Sequence, residues 1–260
     1  MVRPMPTSDP APIGLRPATD LAERVLLPGD PHRALAVAQA LLTAPRMFNH
    51  NRGLWGYTGE APDGAPLTVQ ATGMGGPSAA IVVEELISLG ARSLIRIGTC
   101  GAFAGGLAIG DLVAAVAVVP NDGTSRALGS PALLRPDSAL TEALLAAGGH
   151  ERPEPATVVT TDLFYDDRPA MIESWIEAGA AVVEMEAATV LQVAARRGVA
   201  AACLLAVTDL LEVGAQTAAR ERIVPAALED VGVRLGRIGL EALVAPDGEG
   251  GEGGEPIRTR

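Results

Sequence analysis

The chain has 260 residues, 48% of them apolar, which is enough to build a large core in one α/β domain. Its 20 basic residues against 31 acidic ones leave a formal net charge of −11, which argues against a general nucleic-acid or anionic-membrane surface. Every basic residue is arginine, so Schiff-base and Walker-type lysine chemistry are excluded, and any anion must be caught by local guanidinium groups.

The opening stretch MVRPMPTSDPAPIG lacks the apolar core of a signal peptide, and no uncharged apolar run is long enough for a bilayer. A soluble, cytoplasmic protein is expected, with residues 1–11 as a flexible segment, 12–245 as a single domain, and 246–260 as a disordered Gly/Glu-rich tail. Cys100 and Cys203 stand far apart in apolar or glycine-rich sequence. That pattern fits reduced thiols, with Cys100 a small buried filler.

In chain order, ERVLLPGD (23–30) reads as a short buried strand entering a Pro-Gly-Asp turn. PHRALAVAQALLTA then has helical spacing, so Gly29 and Arg33 sit where a strand meets a helix N-terminus, a position that favours anions. RGLWGYTGEAPDGAPLTVQAT predicts a hairpin turning at Asp63-Gly64. Its second strand runs into GMGG, followed by a helix with Pro77 in its first turn. LIRIGTCGAFAGG is a strand expected to end in a second glycine turn at Gly98–Gly101, where Arg96, Thr99 and bare amides converge.

DLVAAVAVV (111–119) is a further strand, 120–136 is turn-rich, and 137–147 is a short helix. PATVVTTDLFY is a strand whose exit carries Phe164 and Tyr165. An amphipathic helix near 168–178 precedes a buried strand ending at Glu184-Met185-Glu186, then a helix. VAAACLLAVTD is an all-apolar strand whose first acid is Asp209, and a long helix closes the chain. Such strands alternating with helices predict a mixed, mostly parallel sheet covered on both faces, with the polar residues gathered at strand C-termini, where open α/β sheets bind ligands.

Several of these residues admit a plainer role. Arg33 reads equally as a surface charge; Arg96, inside LIRIG, requires either an anion or a carboxylate. Strand alternation puts Glu184 and Glu186 on one face, although one acid could meet solvent while the other caps the next helix. Asp209 reads first as an N-cap and second as an acid, and Phe164 and Tyr165 read first as core. GMGG lacks the third glycine of a dinucleotide fingerprint, so an oxidoreductase with a nucleotide cofactor is a poor second.

Taken together and in order, PGDPHRA, NRGLWGYTGE, TGMGGPSAAIVVEEL, RIGTCGA, TDLFY, VEMEAAT and VTD resemble the nucleoside phosphorylase-I superfamily over roughly Pro12 to Val244. The branch they resemble is the hexameric bacterial and archaeal purine nucleoside phosphorylases. The resemblance implies a phosphorolysis of purine nucleosides, with inorganic phosphate as co-substrate and no metal or organic cofactor. It implies that Gly29, Arg33, Arg96 and Thr99 hold phosphate, joined by Arg52 from a neighbouring subunit. Met185 and Glu186 would take the ribose, Phe164 and Val183 the base, and Asp209 would be the general acid, assisted by Arg222. It also implies a homo-oligomer with shared active sites, a hexamer built as a trimer of dimers. Relatives acting on uridine or methylthioadenosine, hydrolytic nucleosidases and a noncatalytic nucleoside-binding protein are the alternatives. Uridine-specific relatives carry a Gln/Arg insertion after the F-Y motif, whereas FYDDRPAM proceeds directly to a helix. One departure stands out: Pro12 occupies the place of a histidine that reaches the neighbour's ribose 5′-hydroxyl.

Overall fold

The computed structural model describes residues 12–103, 106–165, 168–211, 221–222 and 225–244, with side chains of the last helix from Asp230 onward. The segments 1–11 and 246–260, expected to be flexible, lie outside the described residues, as does the Arg222 side chain.

The first half builds one wing of a sheet. Strand β1 (Arg24–Pro28) enters helix α1 (Pro31–Leu41), whose N-cap Asp30 accepts the Arg33 N–H at 2.8 Å. Strand β2 (Thr43–Asn49) follows, then the predicted hairpin of β3 (Gly56–Glu60) and β4 (Pro66–Gln70), antiparallel through five residue pairs. The sequence pattern had run the first helix to Ala44. It stops at Leu41, and Ala44 takes a left-handed φ of 49°. β2 was unforeseen because it pairs only with β3 and its first five residues are exposed, which removes the apolar alternation that marks a strand.

Helix α2 (Gly76–Ser88) leaves the GMGG turn, where Gly73 (φ 75°) and Gly75 (φ 83°) adopt conformations that side chains disfavour. Strand β5 (Ser93–Phe103) corrects the expected second turn: Gly98, Thr99, Cys100 and Gly101 continue the strand. The glycines are there for close approach. A Cβ on Gly98 would lie 2.7 Å from Arg96 Nη2, and one on Gly101 would lie 2.9 Å from Leu211 Cδ1.

The second half comprises β6 (Leu112–Asn121), α3 (Gly123–Ala127), α4 (Ser138–Ala146), β7 (Glu154–Thr161), α5 (Pro169–Glu177), β8 (Val182–Glu184), α6 (Ala187–Arg197), β9 (Ala200–Leu211), β10 (Glu221–Arg222) and α7 (Pro225–Val244). The sheet order is β10-β9-β6-β7-β8-β5-β1-β4-β3-β2, and β5 also pairs with β9. Strands β5, β8, β7, β6 and β9 therefore close on themselves, where an open sheet was expected. Five pairings are parallel and five antiparallel, so the sheet is mixed, with its longest ladder the parallel β5–β9 pair. A register shift at Cys100/Gly101 lets β5 bend from β1 toward β8 while keeping β9 on its other edge. Helices α2 and α6 pack on one face, and α1, α4 and α7 on the other, each over its own apolar cluster.

Candidate active site

The strand ends converge on a cavity of about 600 Å3 lined by Gly29, Arg33, Thr99, Phe164, Glu186 and Asp209, among others. Sequence order alone placed these residues at the ends of different strands. The parallel arrangement of β1, β4, β5 and β9 brings the ends near Gly29, Thr99 and Asp209 to one side of the sheet, and β8, antiparallel to the far end of β5, carries Glu186 back to Arg96.

At one end, the β1 and β4 exits are joined backbone to backbone, Gly73 N–H donating to Gly29 O at 3.0 Å. Arg33 is half-buried and faces the cavity. Burial lowers its pKa; Asp30 opposes this, and Arg96 adds a like charge. Two guanidinium groups held near one another at a cavity wall form a site for an anion.

Arg96 is 3% exposed. Of the anion or carboxylate that its apolar setting requires, the structure supplies carboxylates. Its Nε donates to Glu184 Oε2 at 2.8 Å, and its Nη2 pairs with Glu186 Oε2 at 2.6 Å. Burial alone would lower the Arg96 pKa, but Glu186 and Glu184 outweigh it and the net shift is upward, so the group stays charged. Its Nη1 is buried with no hydrogen-bond partner.

Glu184 and Glu186 share a face, as alternation requires, and both reach Arg96. Glu184 also accepts from Thr160 Oγ1 at 2.5 Å and from the amides of Glu186 and Ala187 at 2.8 and 2.9 Å, so it ties β5 and β7 to the start of α6. The capping role that sequence assigned to one of the two acids thus belongs to Glu184, and neither acid meets solvent. Glu186 accepts from Gly75 N at 2.5 Å. Burial pushes its carboxyl upward and Glu184 adds to this, while Arg96 and Gly75 oppose it. Met185, between the two acids, lines the cavity.

The opposite end is apolar. Phe164 and Tyr165 are 38% and 88% exposed, ring centroids 5.0 Å apart and edge-on, so the core reading of these aromatics is overturned. Val183, Ile172 and Trp175 line the wall beside them; the last two were read only as part of an amphipathic helix, and nothing in the helix periodicity marks which of its residues face a cavity. Asp209 is not an N-cap, because β9 continues to Leu211. It lines the cavity, accepts from Thr208 Oγ1 at 2.9 Å, and is flanked by Gly101 of β5 and, in backbone register, by Arg222 of β10.

Arg52 is not brought into this cavity. It sits exposed on the Asn51–Gly53 turn with a left-handed φ of 58°. Pro12 likewise does not line it; the adjoining Ile13, Gly14 and Leu15 amides are held by the Glu85 carboxylate on α2. Cys100 lies at the wall with its thiol directed to Ala206 O at 3.5 Å, and burial raises its pKa well above the usual range, so it remains an inert filler. Among the described residues, no group of three or more His, Cys, Asp or Glu side chains could hold a metal ion, and no helix is long and apolar enough to cross a membrane.

The sequence profile of the phosphorylase superfamily matches residues 23–245. The chain belongs to the phosphorylase superfamily. Within the phosphorylase superfamily it is 40% identical over 212 residues to the DeoD-type purine nucleoside phosphorylase of Caldanaerobacter subterraneus subsp. tengcongensis, covering 78% of this chain and 89% of the relative. The DeoD-type enzyme of Geobacillus kaustophilus is 37% identical over 78% of this chain and 87% of its own length. That of Roseobacter denitrificans is 36% identical over 81% and 91%. The mixed sheet with helices on both faces is the architecture that membership of the superfamily implies.

Proposed function

We propose that the protein cleaves the N-glycosidic bond of purine nucleosides with inorganic phosphate, releasing the free base and ribose 1-phosphate or its 2′-deoxy counterpart. The observation that carries this reading is a single cavity lined by Arg33, Arg96 and Thr99 and also by Asp209, which provides for an anion and an acid around one ligand. The printed names of the relatives supply the reaction class.

In this reading phosphate lies among Gly29, Arg33, Arg96 and Thr99, beneath C1′ of the ribose. The C1′–N bond breaks with its electron pair leaving on the base, and a phosphate oxygen forms the new bond to C1′. The sugar passes through an oxocarbenium-like state that the phosphate dianion stabilises. Glu186, paired with Arg96, accepts the ribose diol beside Met185, while Phe164 and Val183 hold the base. Asp209 gives a proton to purine N7, and Arg222, opposite it in the β10 register, steadies the carboxylate that remains.

Charge balance supports a shared site. Arg33 and Arg96 are matched one for one by Glu184 and Glu186, so a dianion gains from one more cation. Arg52, exposed and absent from its own cavity, supplies it from a neighbouring copy, consistent with a homohexamer made of dimers. The physiological setting in this reading is cytoplasmic nucleoside salvage.

The test is hypoxanthine release from inosine with and without phosphate. Release should require phosphate or arsenate, and with phosphate should give ribose 1-phosphate. An equal rate in phosphate-free buffer refutes the proposal and makes the protein a hydrolytic nucleosidase.

A further inference from the structure

Helix α7 (Pro225–Val244) has three glycines in its interior, Gly232, Gly236 and Gly239. Glycine inside a helix is unfavourable relative to alanine, and here each one lets α7 approach another element closely. A Cβ on Gly236 would lie 2.7 Å from Val37 Cγ1, and one on Gly239 would lie 2.9 Å from Leu26 Cδ2, both buried core residues. Gly232 differs in what it faces. The three atoms nearest to a Cβ there are Cγ, Cδ and Nε of Arg33, at 2.6, 3.1 and 3.7 Å. The bare helix surface at Gly232 is thus a slot for the apolar stem of Arg33, a side chain that goes on to line the cavity.

Among the described residues the Arg33 guanidinium makes no hydrogen bond; the helix cap Asp30 accepts only from the backbone N–H of Arg33. The course of the side chain therefore rests on the packing of its stem. Cγ is placed by χ1 alone, and the staggered wells of χ1 lie about 120° apart. A methyl group 2.6 Å from Cγ closes the occupied well and turns the guanidinium away from Arg96 and Glu186, whose charges act on it.

We propose that Gly232 is a positioning residue for phosphate: its missing side chain fixes the course of the Arg33 stem, and with it the place of the Arg33 guanidinium in the anion site. This inference rests on the reading of Arg33 as a phosphate ligand.

Gly232→Ala should raise the phosphate KM about 3- to 10-fold, the worth of one hydrogen bond, and change the inosine KM by less than about 2-fold. Gly236→Ala is the control for packing alone. Its Cβ is equally crowded, so it should lower the midpoint in urea as Gly232→Ala does, yet leave the phosphate KM unchanged. In an Arg33→Ala background the stem is gone, and adding Gly232→Ala should leave the phosphate KM where Arg33→Ala put it. An unchanged phosphate KM in Gly232→Ala, an equal rise in Gly236→Ala, or effects of Gly232→Ala and Arg33→Ala that multiply in the double variant overturns the proposal. Should Gly232→Ala fold poorly, the double variant decides: recovery of the midpoint on removing the stem supports the contact, and no recovery refutes it. A wild-type phosphate KM in Arg33→Ala would sink the phosphate reading of Arg33 itself, whereas a raised value there with none in Gly232→Ala would sink only the positioning role.

Discussion

Gly98→Ala should damage phosphate use more than any other single methyl group added near the cavity. A Cβ at this position lies 2.7 Å from Arg96 Nη2, 2.9 Å from Arg96 Cζ and 3.0 Å from Leu205 Cδ2, whereas ordinary contact begins near 3.4 Å. The guanidinium must therefore retreat by about 0.7 Å. It cannot swing into solvent, because Glu184 and Glu186 grip it at 2.8 and 2.6 Å and it is 3% exposed. With an effective dielectric of about 20, lengthening two such ion pairs by that amount costs roughly 1 kcal/mol each. Overpacking a tight interior adds about 1–3 kcal/mol. Global stability should fall by about 3–5 kcal/mol, read as a lower midpoint in urea with unchanged m. The displaced guanidinium should lose much of a charge-assisted bond worth about 1.5–3 kcal/mol, so the phosphate KM should rise about tenfold or more while the inosine KM changes less. Phosphorolysis rates measured over a phosphate series and a nucleoside series separate the two. A Gly98→Ala enzyme with wild-type stability and an unchanged phosphate KM would falsify the claim that this glycine is present to let Arg96 fold back over the strand.

Asp209→Asn should reduce turnover of inosine by about 10²- to 10⁴-fold yet spare 7-methylguanosine, whose base already carries positive charge; equal losses on both show that Asp209 is not the acid. Arg52→Asn, chosen because asparagine tolerates the left-handed backbone at that position, should be nearly inactive but regain activity when its subunits are dissociated and reassembled with those of Asp209→Asn, since hybrid sites then contain both intact residues. No recovery in assembled hybrids would place Arg52 outside any active site. With Pro12 in place of a polar side chain, 5′-deoxy and 5′-methylthio nucleosides should be used comparably to their parents, and a strong preference for the 5′-hydroxyl in competition assays rejects this. The Arg24 hydrogen bonds hold the Asp63 carboxyl below its ordinary 3.8, so the pair contributes stability above that pH and loses it as pH falls through the lower folded value. Because the pair is partly exposed, Asp63→Asn should cost only about 0.5 kcal/mol at neutral pH and nothing once the pH has fallen well below that lowered value; a loss that persists in acid would point to the Asp63–Gly64 turn itself.

Local sequence was sufficient for the chemistry of the strand ends. An all-apolar run that stops at its first polar residue marks a buried strand and its exit together, so Gly29, Phe164, Glu184 and Asp209 could be assigned to strand C-termini without coordinates. The GMGG turn was equally legible, because only glycine enters the positive-φ region freely and a proline two residues on starts a helix. The motif order carried the family as well.

What local pattern could not supply was the partner of each group. Arg96 and Glu184 lie 88 residues apart, and Gly75 and Glu186 lie 111 apart; they meet because β8 and β9 flank β5 in a sheet that closes on itself. Periodicity encodes which face of an element is apolar, not which element will cover it. The same limit hid β2, an exposed edge strand with no alternation to read, and turned Gly98 from an expected loop residue into a strand residue. It also left Trp175 as one more apolar position on a helix. Only the packing of α5 against the ends of β5 and β9 makes it part of the cavity wall.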